Sequence, residues 1–141
     1  LNLLAQQYFK QLKIWDRLGS EQLRNKMRTL NDYFIYGEIA DISTASSTYV
    51  AVPDGGKVIK IITALQGAIS GGNAAVTFEI GGTAITGGGI TVAHSGSAAG
   101  TIDSSEPTAA NQVEEGGSIE MITDGGSTGA KKLGVTFVIR R

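Results

Sequence analysis

Glycine is confined almost entirely to one part of this chain, and its placement limits the possible folds more than any other feature of the sequence. Nineteen of the twenty glycines lie after residue 36, many of them in adjacent pairs. Such pairs supply the positive φ angles that tight turns need. The runs between them are short and rich in Val, Ile and Thr, which favour strands. Residues 37–141 are therefore predicted to form a β-domain.

Alternation of apolar and polar residues marks the strands within this part of the chain. Val76, Phe78 and Ile80, for example, alternate with polar residues, as in a strand with one wet face. Strands are predicted at 33–39, 48–52, 57–65, 75–80, 83–86 with 90–93, 100–102, 118–123 and 132–140. Many short strands joined by Gly turns predict a mainly β fold, a jelly-roll-like β-sandwich of about eight strands. The few aromatics within it, Phe78 and Phe137 among them, are expected in a thin core.

One predicted strand, 57–65, carries apolar side chains on both of its faces. The first six residues of this strand include four apolar ones, Val58, Ile59, Ile61 and Ile62. A strand of this kind is either central in its sheet or covered by a neighbouring subunit. These four residues are our hypothesis for a subunit interface.

The first 36 residues have a different composition, with six of the nine aromatics and six of the twelve Lys and Arg residues. Apolar residues recur at helical spacing, which predicts helices over residues 2–18 and 21–31. The first stripe consists of Leu4, Tyr8, Leu12 and Trp15. Such narrow stripes do not hold a helix in water unaided, so these helices must pack on the body, in an oligomer or on a partner. We therefore divide the chain into a helical leader, 1–36, and a β-sandwich domain, 37–141.

Charge follows the same division. The leader carries six bases and three acids, whereas residues 37–141 carry six bases and ten acids. No Lys or Arg occurs between residues 61 and 130, where there are seven acids. This surface is either an ordinary solvated one or an end of the molecule that repels nucleic acid. The chain begins at Leu rather than Met, which indicates a fragment, a processed form or a renumbered chain.

Reactive groups do not converge anywhere in the sequence. Cysteine is absent, and the single histidine, His94, has no second His or Cys with which to bind a metal and is expected in an exposed loop. The segment GGSTGAK at 125–131 lacks the Lys-Ser/Thr ending and the following helix of a phosphate loop. Asp103 and Glu106 lack the spacing of a calcium loop. We expect no enzyme activity, no catalytic residues, no cofactor and no metal site, and no run is apolar enough for a membrane span.

Six segments of the β-domain resemble a domain of tailed-bacteriophage virion proteins. They begin with YVAVPDGGKVIKI at 49–61 and continue at 65–69, 79–88, 95–103, 107–113 and 117–126. The resemblance covers roughly residues 47–140 and is to capsid decoration (cement) and head-fibre-type proteins. It implies a jelly-roll-like domain, usually trimeric, bound to the outside of an icosahedral head. No catalytic residues are carried over, and the leader matches no family.

These observations lead to one functional hypothesis and one alternative. The hypothesis is a structural virion protein, made in the host cytoplasm, that binds the outer surface of a phage capsid as a homotrimer and bridges capsomers. Its partners are the major capsid protein and itself, with no direct nucleic acid and no membrane. The residues expected to contact the capsid are Tyr8, Trp15, Arg17, Arg24 and Arg28. The alternative is a vertex, head-fibre or tail-associated module that binds a host surface or a glycan.

Overall fold

The computed structural model describes residues 3–7, 10 and 31–141. Residues 3–7 and 10 are helical, as expected for the start of the leader, and Leu3 and Leu4 are exposed. The remainder of the two predicted helices lies outside the described residues. The chain divides into two units, Leu1–Asp32 and Tyr33–Arg141, and the second contains all the β-structure described below apart from the first residue of β1.

Within residues 31–141 there are ten strands, and most agree closely with the predicted ones. They are β1 Asp32–Ile39, β2 Ser46–Ala51, β3 Gly56–Leu65, β4 Ala74–Ile80, β5 Thr83–Ala84, β6 Ile90–Val92, β7 Ile102–Ser105, β8 Gln112–Val113, β9 Ser118–Thr123 and β10 Leu133–Arg140. The predicted mainly β sandwich with a helical N-terminal segment is confirmed.

Two antiparallel sheets form the two layers of the sandwich. Sheet A has the order β1-β10-β3-β7, with β8 also paired to β3, and sheet B has the order β2-β9-β4-β5, with β6 also paired to β4. The first four strands thus alternate between the sheets, and β9 and β10 return to positions beside the first pair. As predicted for a strand that is apolar on both faces, β3 is central in its sheet.

Aliphatic side chains from the inner faces of both sheets fill the core. Phe78 on β4 and Phe137 on β10 meet at its centre, with ring centroids 5.5 Å apart and ring planes at 89°. They are 1% and 0% exposed, so the prediction that both are core residues is confirmed. An edge-to-face pair of this kind joins the two sheets more strongly than its buried area alone provides.

Glycine has two structural roles in this fold. Gly125 takes a φ of 69° in the turn after β9, and a Cβ there would lie 2.5 Å from the backbone nitrogen of Ala45. Gly37 on β1 has an ordinary φ but faces inward, where a Cβ would overlap Val50 on β2 and approach Met121 on β9. The first role was predicted from the turn pattern, whereas the second depends on packing between the sheets.

The predictions differ from the structure at two short strands. Strand β7 begins at Ile102 rather than at residue 100, because Ala98 and Thr101 form a turn in which each backbone N–H is bonded to the other residue. Gly100, with a φ of 87°, closes that turn and donates to the Leu65 carbonyl. Strand β8 was not predicted, because two residues are too few to show a period.

The C-terminal residue is held against the beginning of the β-unit. Arg141 Nε lies 2.8 Å from Asp54 Oδ2, and its guanidinium carbon lies 5.2 Å from the centre of the Tyr33 ring. Burial is the main reason why the pKa of the Tyr33 hydroxyl is raised above its usual value. Both ends of the β-unit are therefore close to the Asp54 turn.

Among the described residues there is no helix long and apolar enough to cross a membrane.

Candidate interaction surfaces

In the described part of the chain, no three His, Cys, Asp or Glu side chains lie close enough together to hold a metal ion. His94 is exposed, as predicted, and its Nδ1 lies 2.8 Å from Asn73 Oδ1. The same amide oxygen accepts a hydrogen bond from the His94 backbone N–H at 3.0 Å. Asn73 therefore orients this histidine.

The residues predicted to contact a capsid, Tyr8, Trp15, Arg17, Arg24 and Arg28, lie outside the described residues. Their role stays a prediction.

The four residues of the hypothetical subunit interface divide between the two faces of β3. Val58 and Ile61 are fully buried in the core of the subunit, whereas Ile59 and Ile62 are half-buried on the side turned away from sheet B. The interface itself stays a prediction, and only Ile59 and Ile62 have side chains placed to take part in it.

A β-bulge explains this division. Val138 on β10 pairs with Lys60 and the next residue, Ile139, pairs with Val58, so Ile59 is an extra residue on β3. Without it, Val58 and Ile61 would point to opposite faces, because strand side chains alternate. The bulge turns both into the core and places Ile59 beside Lys60 on the outer side.

The outer face of sheet A, meaning the side turned away from sheet B, is apolar at one end. Tyr36 on β1 lies over Gly134, where a Cβ would be 2.8 Å from the tyrosine oxygen. Gly134 is opposite Ala64 on β3, and Ala64 is opposite Ile102 on β7. Tyr36 and Ile102 are 61% and 59% exposed. An apolar row therefore crosses the whole sheet and is open to its surroundings.

The adjoining rows of this face extend the apolar area and end in cations. Ile62 lies between Thr136 and Ser104, and the exposed Phe34 is two residues before Tyr36 and so shares its face. Further along β3, Lys60 is opposite Val138 and Lys57 is opposite Arg140. The outer face of sheet A thus combines aromatic, aliphatic and basic side chains, with the acid Glu38 beside Tyr36.

The outer face of sheet B has a different character. Tyr49 on β2 is opposite Glu120 on β9, and Glu120 is opposite Glu79 on β4, in one row. The hydrogen bond to Glu120 is the main reason why the pKa of Tyr49 is raised, because removal of the hydroxyl proton would break it beside a second negative charge. The strands of sheet B carry no Lys or Arg.

All basic residues of the β-unit belong to sheet A or adjoin it. Lys57 and Lys60 are on β3 and Arg140 is on β10, while Lys131, Lys132 and Arg141 lie within two residues of β10. Lys132 pairs with Glu38 at 3.3 Å, and Arg141 pairs with Asp54. The bases are therefore gathered at sheet A, whose strands also carry Asp32, Glu38 and Asp103, whereas the charged residues on the strands of sheet B are all acids.

Comparison with known proteins gives a likeness of fold only. No family model and no curated protein matches the sequence. A chain in the acid-stable capsid structure of Helicobacter pylori bacteriophage KHP30 is 13% identical, with a TM-score of 0.55, over 78% of this chain and 87% of that one. The predicted resemblance to a phage virion protein is thus confirmed at the level of the fold.

Two further similar structures have TM-scores below 0.5. A chain of the cyanophage Pam1 capsid asymmetric unit is 16% identical over 77% of this chain and 85% of that one, with a TM-score of 0.45. The latent PorU dimer of Porphyromonas gingivalis is 15% identical over 78% of this chain, which corresponds to 13% of its own chain, also with a TM-score of 0.45.

Sequence reasoning did not find the outer face of sheet A. It assigned Phe34 and Tyr36 to the leader, although both belong to β1. It gave no role to Ile102, which is the one large apolar residue in a polar stretch of the sequence. The alternation of Phe34 and Tyr36 within a predicted strand was the available signal, but the row that joins them to Ile102 depends on strand order.

Proposed function

We propose that this protein is a structural component of a bacteriophage virion, which binds the outer surface of the capsid as a homotrimer and stabilises it by bridging capsomers. The observation that supports this best is the shared fold with a chain of the KHP30 capsid structure, which extends over most of both chains. The two outer faces fit the proposal, because they offer broad surfaces for contact with other proteins.

The strand order supports a jelly roll as the specific type of sandwich. The sheets have the strand orders β1-β10-β3-β7 and β2-β9-β4-β5. The chain crosses from one sheet to the other at each of the first three connections and again between β9 and β10. Such winding of a folded-over ribbon of strands is what two Greek keys produce in a jelly roll.

The leader is the proposed attachment segment. Tyr8 and Trp15 are the proposed apolar anchors, and Arg17, Arg24 and Arg28 are proposed to pair with capsid carboxylates. Three leaders on one trimer engage the shell together, so a weak single contact gives firm attachment through effective concentration.

The test is a binding assay with capsids that lack this protein. The full chain is expected to co-sediment with them, and a chain without residues 1–31 is expected to stay in the supernatant although it folds. In the full chain, Tyr8→Ala with Trp15→Ala should weaken binding, while Tyr49→Ala, which removes an aromatic exposed on sheet B, should not. Full decoration by the shortened chain would show that the leader is not the anchor.

One observation favours the alternative of glycan binding. Tyr49 is 65% exposed and lies beside Glu120, and an aromatic ring next to hydrogen-bond acceptors is a common basis for a sugar site. A vertex or tail position predicts few copies per particle, whereas decoration predicts many. Counting copies in purified virions separates the two, and a glycan array with wild type and Tyr49→Ala tests the sugar site directly.

A further inference from the structure

The outer face of sheet A holds most of the exposed large apolar side chains of the β-unit. Phe34, Tyr36 and Ile102 are between 59% and 68% exposed, and Tyr49 is the fourth such residue within 33–141. Ile62 adds half-buried surface between them. A continuous apolar area of this kind on a soluble domain marks a surface that another protein covers.

Two lysines, Lys57 and Lys60, lie at the basic end of this face. Lys57 and Lys60 have no ion pair within residues 31–141, and both lie on the outer side of β3. A surface that covers this face therefore gains from carrying carboxylates opposite the two lysines. The surrounding apolar side chains strengthen such pairs because they exclude water.

The rest of the β-unit has the required charge. Residues 61–130 contain seven acids and no base, and they supply all of β4 to β9. In a ring of three copies each contact joins two unlike surfaces, because only a twofold axis brings identical patches together. The charged side chains that this segment brings to sheet A of the next copy are therefore carboxylates.

We infer that a second copy of this chain covers the outer face of sheet A, formed by Phe34, Tyr36, Lys57, Lys60, Ile62 and Ile102, with an acidic surface from its residues 61–130. This inference rests on the homotrimer of the proposed function. It gives that trimer a specific interface and gives Lys57 and Lys60 a role in it.

The first experiment measures the mass of the full chain in solution by analytical ultracentrifugation. Wild type is expected to be an oligomer that dissociates as salt is raised, since charged contacts are screened. Lys60→Glu is expected to raise the dissociation constant at least roughly tenfold. The matched control is Lys131→Glu, which makes the same charge change in the loop before β10 and should leave the constant unchanged. Tyr36→Ser with Ile102→Ser should also dissociate the oligomer.

The second experiment identifies the covering surface. A zero-length carboxyl-to-amine cross-linker is applied to a mixture of unlabelled and ¹⁵N-labelled full chains. Mass spectrometry is expected to find mixed-label links from Lys57 or Lys60 to an acid within residues 61–130. A monomeric wild type, an oligomer that survives both sets of variants, or links only to other regions would overturn the inference.

Failure of the inference and failure of the proposed function give different results. A chain that forms the cross-linked oligomer but does not bind capsids contradicts only the virion role. Variants of this face that remain oligomeric but lose capsid binding show that the shell covers it, which contradicts only the inference.

Discussion

At the scale of single residues, the aromatic side chains show how position decides their contribution. Phe78 and Phe137 fill the core, while Phe34 and Tyr36 lie on an outer face with more than half of their surface exposed. Alternation predicted the first pair correctly, because the inward residues alternate with Thr77 and Glu79 on β4 and with Gly134 and Thr136 on β10. Alternation could not predict which side chains of β1 are exposed, because Tyr33 to Tyr36 are four large apolar or aromatic residues in a row.

Phe137→Ala is expected to lower the free energy of unfolding by about 3–5 kcal/mol, since it removes a fully buried ring and leaves a cavity between the sheets. Phe34→Ala, the same change at an exposed position, is expected to change it by no more than about 0.5 kcal/mol in a monomeric state. Urea denaturation of both variants measures the difference. Equal losses would mean that the β-sheets do not pack through the Phe78–Phe137 pair.

Asp41 provides a test of electrostatics in a turn. Hydrogen bonds from the Ser43 hydroxyl and backbone N–H, at 2.6 and 2.8 Å, hold the pKa of the Asp41 carboxyl below its usual value. Because the folded state lowers this pKa, its stabilising contribution is complete above the usual Asp value and is lost as the pH falls through the lowered one. Ser43→Ala should raise the pKa towards normal, as measured by carboxyl NMR, and an unchanged pKa would contradict the assignment.

At the scale of elements, strand β3 shows where local sequence stops determining structure. Its turn, Pro53 to Gly56, and its length are local properties, and the sequence predicted them well. The inward direction of both Val58 and Ile61 depends on how β10 pairs with β3, and the paired residues are 68 to 83 positions apart in the chain. No pattern within β3 distinguishes a bulge at Ile59 from a strand that is buried on both faces.

The bulge leads to a prediction about two deletions. Removing Ile59 should be tolerated, because Val58, Lys60 and Ile61 would then alternate regularly and keep their present partners on β10. Its cost should stay within the roughly 0.5–3 kcal/mol of an ordinary point change. Removing Ile62, by contrast, should prevent folding. The side chains on one side of the deletion would then point to the opposite face of the sheet. Circular dichroism and urea denaturation distinguish them, and equal behaviour of the two deletions would exclude a bulge at this position.

Gly37 offers a second prediction at this scale. Gly37→Ala should destabilise the protein by about 1–3 kcal/mol, because the added methyl overlaps Val50 and crowds Met121. Adding Val50→Ala should recover part of that loss by making room on β2, although Val50→Ala on its own is destabilising. A double-variant cycle followed by thermal denaturation measures the recovery, and strictly additive effects would mean that the two residues do not touch.

At the scale of the whole molecule, the order of the strands in each sheet positions the candidate site. This order could not be predicted from the sequence. The fold class follows from turns and alternation, which are local. The row from Tyr36 to Ile102 joins residues on four strands, β1, β10, β3 and β7, whose neighbours are set by long-range pairing. The leader's contact residues remain predictions, since they lie outside the described residues.

The β-unit should fold without the leader. The buried apolar residues of the described chain all lie between Ile39 and Ile139, within Tyr33–Arg141. A chain that starts at residue 31 should therefore unfold in one cooperative step with nearly the free energy of the full chain, if both are compared as monomers. Urea denaturation at low protein concentration tests this. A large loss of stability would place part of the core in the leader.

The position of Arg141 has a practical consequence for protein display. A peptide fused after this residue would emerge next to Tyr33 and the Asp54 turn, close to the point where the leader joins the β-unit. If the leader binds the capsid, a peptide fused at this position lies close to the capsid surface. The turn at Gly81 and Gly82 has open space around it and leads into β5, at the edge of the acidic sheet. Foreign epitopes for a vaccine scaffold belong in that turn rather than after Arg141.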